Sequence, residues 1–159
     1  MMRLLALSDS HGNAQALRAL APFIEALRPD HIAHLGDYAS DGQLLAACAG
    51  REVIQVRGNG DFAFGELPAE LVLELGAAKI LLTHGHQHAV KSGLSRLCER
   101  AGQLGCAAAL FGHTHLPHCE KTDGIWLVNP GALADPADPR RKGLAVLEAE
   151  GDALRAALL

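Results

Sequence analysis

An α/β fold built on two sheets is predicted by three observations. Short apolar runs alternate with amphipathic stretches over most of the 159 residues; a polar cluster rich in Asp, His, Asn and Gly follows several of those runs; and after Gly112 helical patterns give way to short strands alone. The alternating part predicts a largely parallel sheet. The all-β tail is expected to form a second, mixed sheet packed against the first.

Residues 3–8 are mostly apolar and pass abruptly into Asp9-Ser10-His11-Gly12-Asn13, which reads as a buried strand running into a loop. Over 14–27 the apolar Leu17, Leu20, Ile24 and Leu27 recur at helical spacing, with Asn13 available as N-cap and Pro29 as the stop, so one amphipathic helix is expected. A strand over 31–35 ends at Gly36-Asp37. A helix over about 42–49 follows, then a strand over 52–56 that ends at Gly58-Asn59-Gly60-Asp61. Further strands are expected at 71–75, 79–83 and 107–111, with a helix over about 92–104 before the last of them. The tail supplies short strands at 118–122, 125–128, 143–148 and 153–157. No internal repeat, low-complexity tract or linker interrupts the chain, so 1–159 reads as a single domain, with 135–142 as its one long loop.

Hydrophobic residues make up 49% of the chain, yet no run approaches the roughly 18 uninterrupted apolar residues of a membrane span, and no cleavable signal is visible. A soluble, cytoplasmic protein without a membrane partner is expected. Cys48, Cys98, Cys106 and Cys119 show no CxxC pairing, which argues against a zinc knuckle or redox motif and for reduced thiols. A formal charge of −4 and 4% aromatic residues weigh against nucleic acid as a partner, since neither a basic face nor stacking platforms are available. The run Arg140-Arg141-Lys142 reads as a solvated turn. A homo-oligomer stays open.

Asp9-x-His11, Asp37, Asn59, His84 and His113-x-His115 all fall just beyond the C-terminal ends of expected strands, the edge at which α/β sheets bind ligands. Asp9 and His11 would share one side if the backbone between them stayed extended. Singly, each motif has an ordinary reading as a cap or tight turn. Paired histidines flanked by glycine after apolar strands, in Thr83-His84-Gly85-His86 and Gly112-His113-Thr114-His115, are costly to bury without a partner. Together the clusters offer two carboxylates, four imidazoles and one amide oxygen, a mixed N/O set suited to manganese, iron, zinc or nickel. His31 and His34 read as satisfied structural histidines, Phe111 and Trp126 as core. His88 and His118 are left between the mouth of the site and no role, and Arg57 between a phosphate contact and a strand end.

These motifs, in this order, resemble the calcineurin-like metallophosphoesterase superfamily over the whole chain, and most of all its small bacterial and archaeal phosphodiesterases, with which it also shares the Val128-Asn129-Pro130-Gly131 turn. The resemblance implies a four-layer α/β/β/α sandwich of two mixed sheets flanked by helices. It implies two divalent metal ions, manganese first and nickel, zinc or iron as alternatives. Asp9, His11 and His115 would hold one ion, Asn59, His84 and His113 the other, and Asp37 would bridge them and position a nucleophilic metal-bound hydroxide for attack on a small phosphodiester.

The chain departs from the superfamily at Gly60, where many members carry a histidine that protonates the leaving group. Losing such a general acid removes a contribution of about 10²- to 10⁴-fold. His86 is the nearest substitute, as proton donor or as a hydrogen bonder that holds the metal ligands. A phosphomonoesterase with the same site, and an interaction scaffold such as the retromer subunit that shares this fold, are the alternatives.

Overall fold

The computed structural model describes residues 1–133 and 143–159. Strand β1 (Met2–Leu7) shows why the apolar runs are unbroken: Leu5 and Leu7 face one side, Leu4 and Ala6 the other, and all four are fully buried. A strand covered on both faces has no polar alternation to display. Leu5 and Leu7 pack with Ile32 of β2 (His31–His34) against Leu17, Ile24 and Leu45 of helices α1 (Ala14–Ala19), α2 (Ala21–Leu27) and α3 (Ala39–Ala49). Leu4 and Ala6 join Ile80 and Leu82 of β5 (Ala78–Thr83) and Leu110 of β6 (Ala108–Leu110) in a core between two sheets. Beyond the second sheet, Leu81, Ala109, Phe111 and Leu127 meet Leu97, Cys98 and Ala101 of α4 (Ser95–Gln103). The layers therefore run helix, sheet, sheet, helix, the α/β/β/α sandwich that the resemblance implies.

The first sheet has the order β10 (Ala153–Leu158), β9 (Ala145–Glu150), β1, β2, β3 (Ile54–Gln55). The second runs β4 (Glu70–Leu75), β5, β6, β8 (Ile125–Asn129), β7 (His118–Thr122). Parallel pairing at β1·β2·β3 and β5·β6·β8 is joined to antiparallel pairing at β10·β9·β1, β4·β5 and β7·β8, so both sheets are mixed. This corrects the expected strand membership. The all-β tail makes no sheet of its own: β7 and β8 extend the second sheet, whereas β9 returns to pair with β1, Leu147 opposite Leu4. Once β2 has taken one side of β1, the other side would be a buried, unpaired edge, and the buried Ala145 and Leu147 close it.

Two local expectations also change. The helix expected over 14–27 is two helices, because Pro22 inside a continuous helix would clash with the carbonyl of Arg18; it sits instead in the first turn of α2, where its missing N–H is not needed. Asn13 does cap α1, accepting the N–H of Ala16 at 3.0 Å. Helix α3 begins at Ala39 rather than Gly42, because Asp61 from a separate loop accepts the Ala39 N–H at 2.9 Å. The expected loop at 135–142, with its basic run, lies outside the described residues.

Candidate metal centre

The loops leaving β1, β2, β3, β5 and β6 converge at one edge of the sandwich. Asp9, His11, Asp37, His113 and His115 adopt left-handed backbone there, with φ of 51°, 52°, 58°, 67° and 60°. Asp and His enter that region more readily than most residues, at a cost of about 1–2 kcal/mol each. Five in one cluster mark a place where side-chain direction overrides backbone preference. The expectation of an extended Asp9-x-His11 is thereby corrected: the two side chains converge through left-handed turns.

Two glycines let the loops approach this closely. A Cβ on Gly112 would lie 2.0 Å from Ser8 Oγ and 2.7 Å from Asp9 Oδ2, and one on Gly58 would lie 2.2 Å from Asp37 Oδ1. Gly58 precedes Asn59 and Gly112 precedes His113, so the residue before each side chain is backbone packed against a carboxylate.

Asp9 is fully buried. Its Oδ2 accepts Ser8 O–H at 2.6 Å and the His113 N–H at 3.0 Å. Its Oδ1 has no well-directed donor, and faces His115 Nε2 at 3.2 Å and His84 Nε2 at 3.9 Å. Burial pushes the Asp9 carboxyl up, but His115, His84 and Ser8 outweigh it and hold the group below its ordinary value. His84, also fully buried, donates Nδ1–H to the Leu35 carbonyl at 2.7 Å, which leaves Nε2 to face Asn59 Oδ1 at 3.1 Å and Asp37 Oδ2 at 3.6 Å. His11 and His115 bring their Nε2 atoms to 3.3 Å. The His113 ring stands edge-on to that of His84, centroids 5.0 Å apart, and burial, with His84 and Lys91 nearby, pushes its pKa down to about 4. All seven residues singled out in the sequence thus meet in one connected set.

Among the described residues, two groups bring one donor atom from each member within 4.8 Å of the others: Asp9, His11 and His115, and Asp9, Asp37 and His84. Asp9 belongs to both, whereas Asp37, the residue expected to bridge, belongs to the second. Asp9 Oδ1, Asp37 Oδ2 and Asn59 Oδ1 are acceptors gathered around His84 Nε2, and a knot of acceptors at a buried ring nitrogen is what a divalent cation relieves. The residues present therefore fit the metal ions that the resemblance implies.

The supporting shell was not legible in the sequence. Asp61 Oδ2 accepts the N–H groups of Asp37 and Gly58 at 3.0 and 2.8 Å, tying the Asp37 and Asn59 loops together. Asn129 donates to the Gly112 carbonyl and to Thr114 Oγ1, both at 3.0 Å, which steadies the His113-Thr114-His115 loop. His34 accepts the Gly36 N–H at Nδ1, so its Nε2–H donates to Ser10 Oγ at 2.8 Å, and Ser10 donates to Asp41 Oδ2 at 2.7 Å. His34 is thus a satisfied structural histidine that links the Asp9 and Asp37 loops. Asp61 and Asn129 carried local hints, their places in the Gly58-Asn59-Gly60-Asp61 and Val128-Asn129-Pro130-Gly131 turns.

The remaining sequence candidates divide. His86 lies on a single 3₁₀ turn, its ring 5.6 Å from that of His84 and 6.1 Å from that of His113. Burial, then His84, lowers its pKa. His88 turns to Glu70, 3.3 Å away, which Arg100 also engages. His118 lies against Phe111, centroids 6.2 Å apart. Arg57 donates to the Gly65 carbonyl at 3.3 Å.

The calcineurin-like phosphoesterase superfamily domain matches residues 2–152. The probable metallophosphoesterase YsnB of Bacillus subtilis is 38% identical over 152 residues, 96% of this chain and 87% of that protein. The phosphodiesterase YfcE of Escherichia coli is 28% identical over 158 residues, 86% of this chain and 82% of that one. Among solved structures, a conserved Streptococcus pneumoniae protein described as a predicted phosphoesterase superposes with a TM-score of 0.80 at 27% identity, covering 99% of this chain and 88% of that one. The chain belongs to the calcineurin-like phosphoesterase superfamily, and a metal-dependent phosphoesterase is the class of protein that this membership and the donor cluster define.

Proposed function

We propose that this chain, acting as one domain over 1–159 and in the cytoplasm, hydrolyses small phosphodiesters at a dinuclear centre. Asp9, His11 and His115 would hold one ion, Asn59, His84 and His113 the other, and Asp37 would lie between them, with Asp9 near enough to both donor groups to share. The observation that carries this reading is the buried, donor-poor Asp9 Oδ1 between His115 and His84. Divalent ions held here, manganese first, then nickel, zinc or iron, supply Lewis acidity toward phosphoryl oxygens and ionise water near neutral pH. The protein's part is placement. The Leu35 carbonyl holds the tautomer of His84, Asp61 holds Asp37, and burial keeps His113 neutral and able to donate a lone pair. The name phosphodiesterase, borne by YfcE, supports the diester in preference to the monoester. His86, its ring 5.6 Å from that of His84 and 6.1 Å from that of His113, is the candidate proton donor, and because burial lowers its pKa it offers an N–H as a hydrogen bond, weaker help than an imidazolium gives.

Phosphomonoester hydrolysis is the second reading, favoured by a second cation near the site: Lys91 lies close enough to His113 to depress its pKa. A screen of purified apoprotein with Mn, Ni, Zn and Mg against aryl and alkyl diesters and monoesters tests both. Diester turnover that depends on added metal is expected. Protein that neither binds metal nor cleaves any ester would instead be a scaffold.

A further inference from the structure

Beside the donor cluster lies an apolar pocket of about 400 Å³, lined by Val90, Leu94, Phe111, Leu116, Pro117 and His118. It meets the centre at one loop, because Thr114, between His113 and His115 in the chain, and the next residue, Leu116, both line it. Thr114 Oγ1 accepts from Asn129 at 3.0 Å and from the Leu116 N–H at 3.2 Å, which fixes the side chain in the pocket wall. Leu116 is 48% exposed although nothing polar recommends that position, and Lys91 brings an ammonium to the lining. A phosphate group alone needs none of this apolar volume.

We infer that this pocket receives a flat aromatic ring carried by the substrate on its leaving oxygen, so that the enzyme cleaves phosphodiesters of aromatic alcohols or of similarly flat groups. The inference rests on the phosphodiesterase reading and narrows it. Two observations converge. The pocket is apolar and contiguous with the His113-Thr114-His115 loop, and Gly60 leaves the usual proton donor absent, which favours leaving groups that depart without one. In the step itself a water-derived oxygen bonds to phosphorus, the bond from phosphorus to the aryloxy oxygen breaks, and its electron pair leaves as aryloxide. The Lys91 ammonium offsets the departing charge, and the aryloxide then takes its proton from water. Apolar contact of this kind discriminates by about 10- to 200-fold per small group.

The test separates the ring from the chemistry. Phenylphosphonate and methylphosphonate carry the same anionic group and neither is hydrolysed, so their inhibition constants against metal-loaded protein report the ring alone; a nucleoside 5′-phosphorothioate in parallel distinguishes a nucleobase from a plain aryl ring. Phenylphosphonate is expected to inhibit about tenfold more tightly than methylphosphonate, and Leu116→Ser, which removes apolar surface without adding charge, to shrink that ratio. Phe62→Ala, at the fully projecting Phe62 (89% exposed), should leave the advantage intact. Equal inhibition by the two phosphonates in the wild type overturns the pocket assignment while hydrolysis stands, and so does a ratio that Leu116→Ser leaves unchanged. Absence of any metal-dependent ester cleavage overturns the phosphodiesterase reading itself, and the pocket assignment with it.

Discussion

The carboxylate of Asp61 accepts the backbone N–H of Asp37 at 3.0 Å, and the same side chain takes the N–H groups of Gly58 and Ala39 at 2.8 and 2.9 Å. One buried carboxylate thus sets the direction of Asp37, starts α3 and closes the turn that presents Asn59, without itself facing the donor cluster.

Asp61→Ala should therefore act as a metal-site mutation at one remove. Three charge-assisted hydrogen bonds are lost together, and about 3 kcal/mol of stability with them. Bound metal, measured by elemental analysis, should fall although no donor has been removed. Asp61→Asn retains one acceptor oxygen and should lose about half as much. Wild-type metal content in Asp61→Ala would show that the Asp37 loop holds its direction unaided.

Metal should stabilise the fold measurably. Ions that bind only the folded chain add about 2.7 kcal/mol at a hundredfold excess over Kd, and about 2–4 °C per kcal/mol is expected for a chain of this size. The melting temperature of apoprotein titrated with manganese should rise by about 5–10 °C. Asp37→Asn and Asp9→Asn should blunt the rise, and Cys48→Ser should not. A flat melting curve across the titration would leave the cluster without a cation to bind.

Acid should weaken the apoprotein early. Burial pushes His113 from 6.5 down to about 4 and lowers His34 and His86 as well. Between those values the unfolded chain takes up protons that the folded chain refuses, so stability rises with pH through that window and falls as pH drops from about 6.5 toward 4. Because His113 is half-buried, solvent screening reduces its own share to about 1 kcal/mol. Metal-free protein should melt several degrees lower at pH 5 than at pH 7.5, by calorimetry in matched ionic strength, and His113→Gln should flatten part of that slope. Equal melting temperatures at the two pH values would contradict the burial of these rings.

The donors were legible because each is a short-range signal, an Asp, Asn or His placed just after an apolar strand, and because motif order carries the pairing of distant loops. What holds the donors was not legible. Asp61 to Ala39, Asn129 to Gly112 and Ser10 to His34 are contacts between loops far apart in sequence: the Val128-Asn129-Pro130-Gly131 turn marks Asn129 without naming its partner, and nothing local distinguishes Ser10 from an ordinary turn residue. Strand membership failed for a related reason: the pairing of β9 with β1 answers an exposed edge that exists only once the other strands have assembled. The two short helices in place of one were foreseeable from Pro22 alone.

Gly60 yields the sharpest test of mechanism. Its N–H donates to Asp37 Oδ1 at 2.9 Å, and a Cβ built there would lie 3.3 Å from that oxygen. Gly60 is not among the residues with positive φ, so no left-handed backbone demands glycine, and a side chain needs only a few tenths of an ångström of adjustment. The position is exposed and adjoins Asn59, where an imidazole could reach a leaving oxygen. If no side chain now protonates that oxygen, the wild-type rate should depend steeply on leaving-group basicity, with aryl diesters cleaved far faster than alkyl diesters. Gly60→His should raise the alkyl rate by about 10²-fold, the lower bound for a placed general acid, and change the aryl rate little. Metal content measured on the same samples separates a catalytic effect from a damaged site. Similar wild-type rates on alkyl and aryl diesters, unmoved by His86→Ala, would mean that another group already donates the proton and that Gly60 leaves no gap to fill.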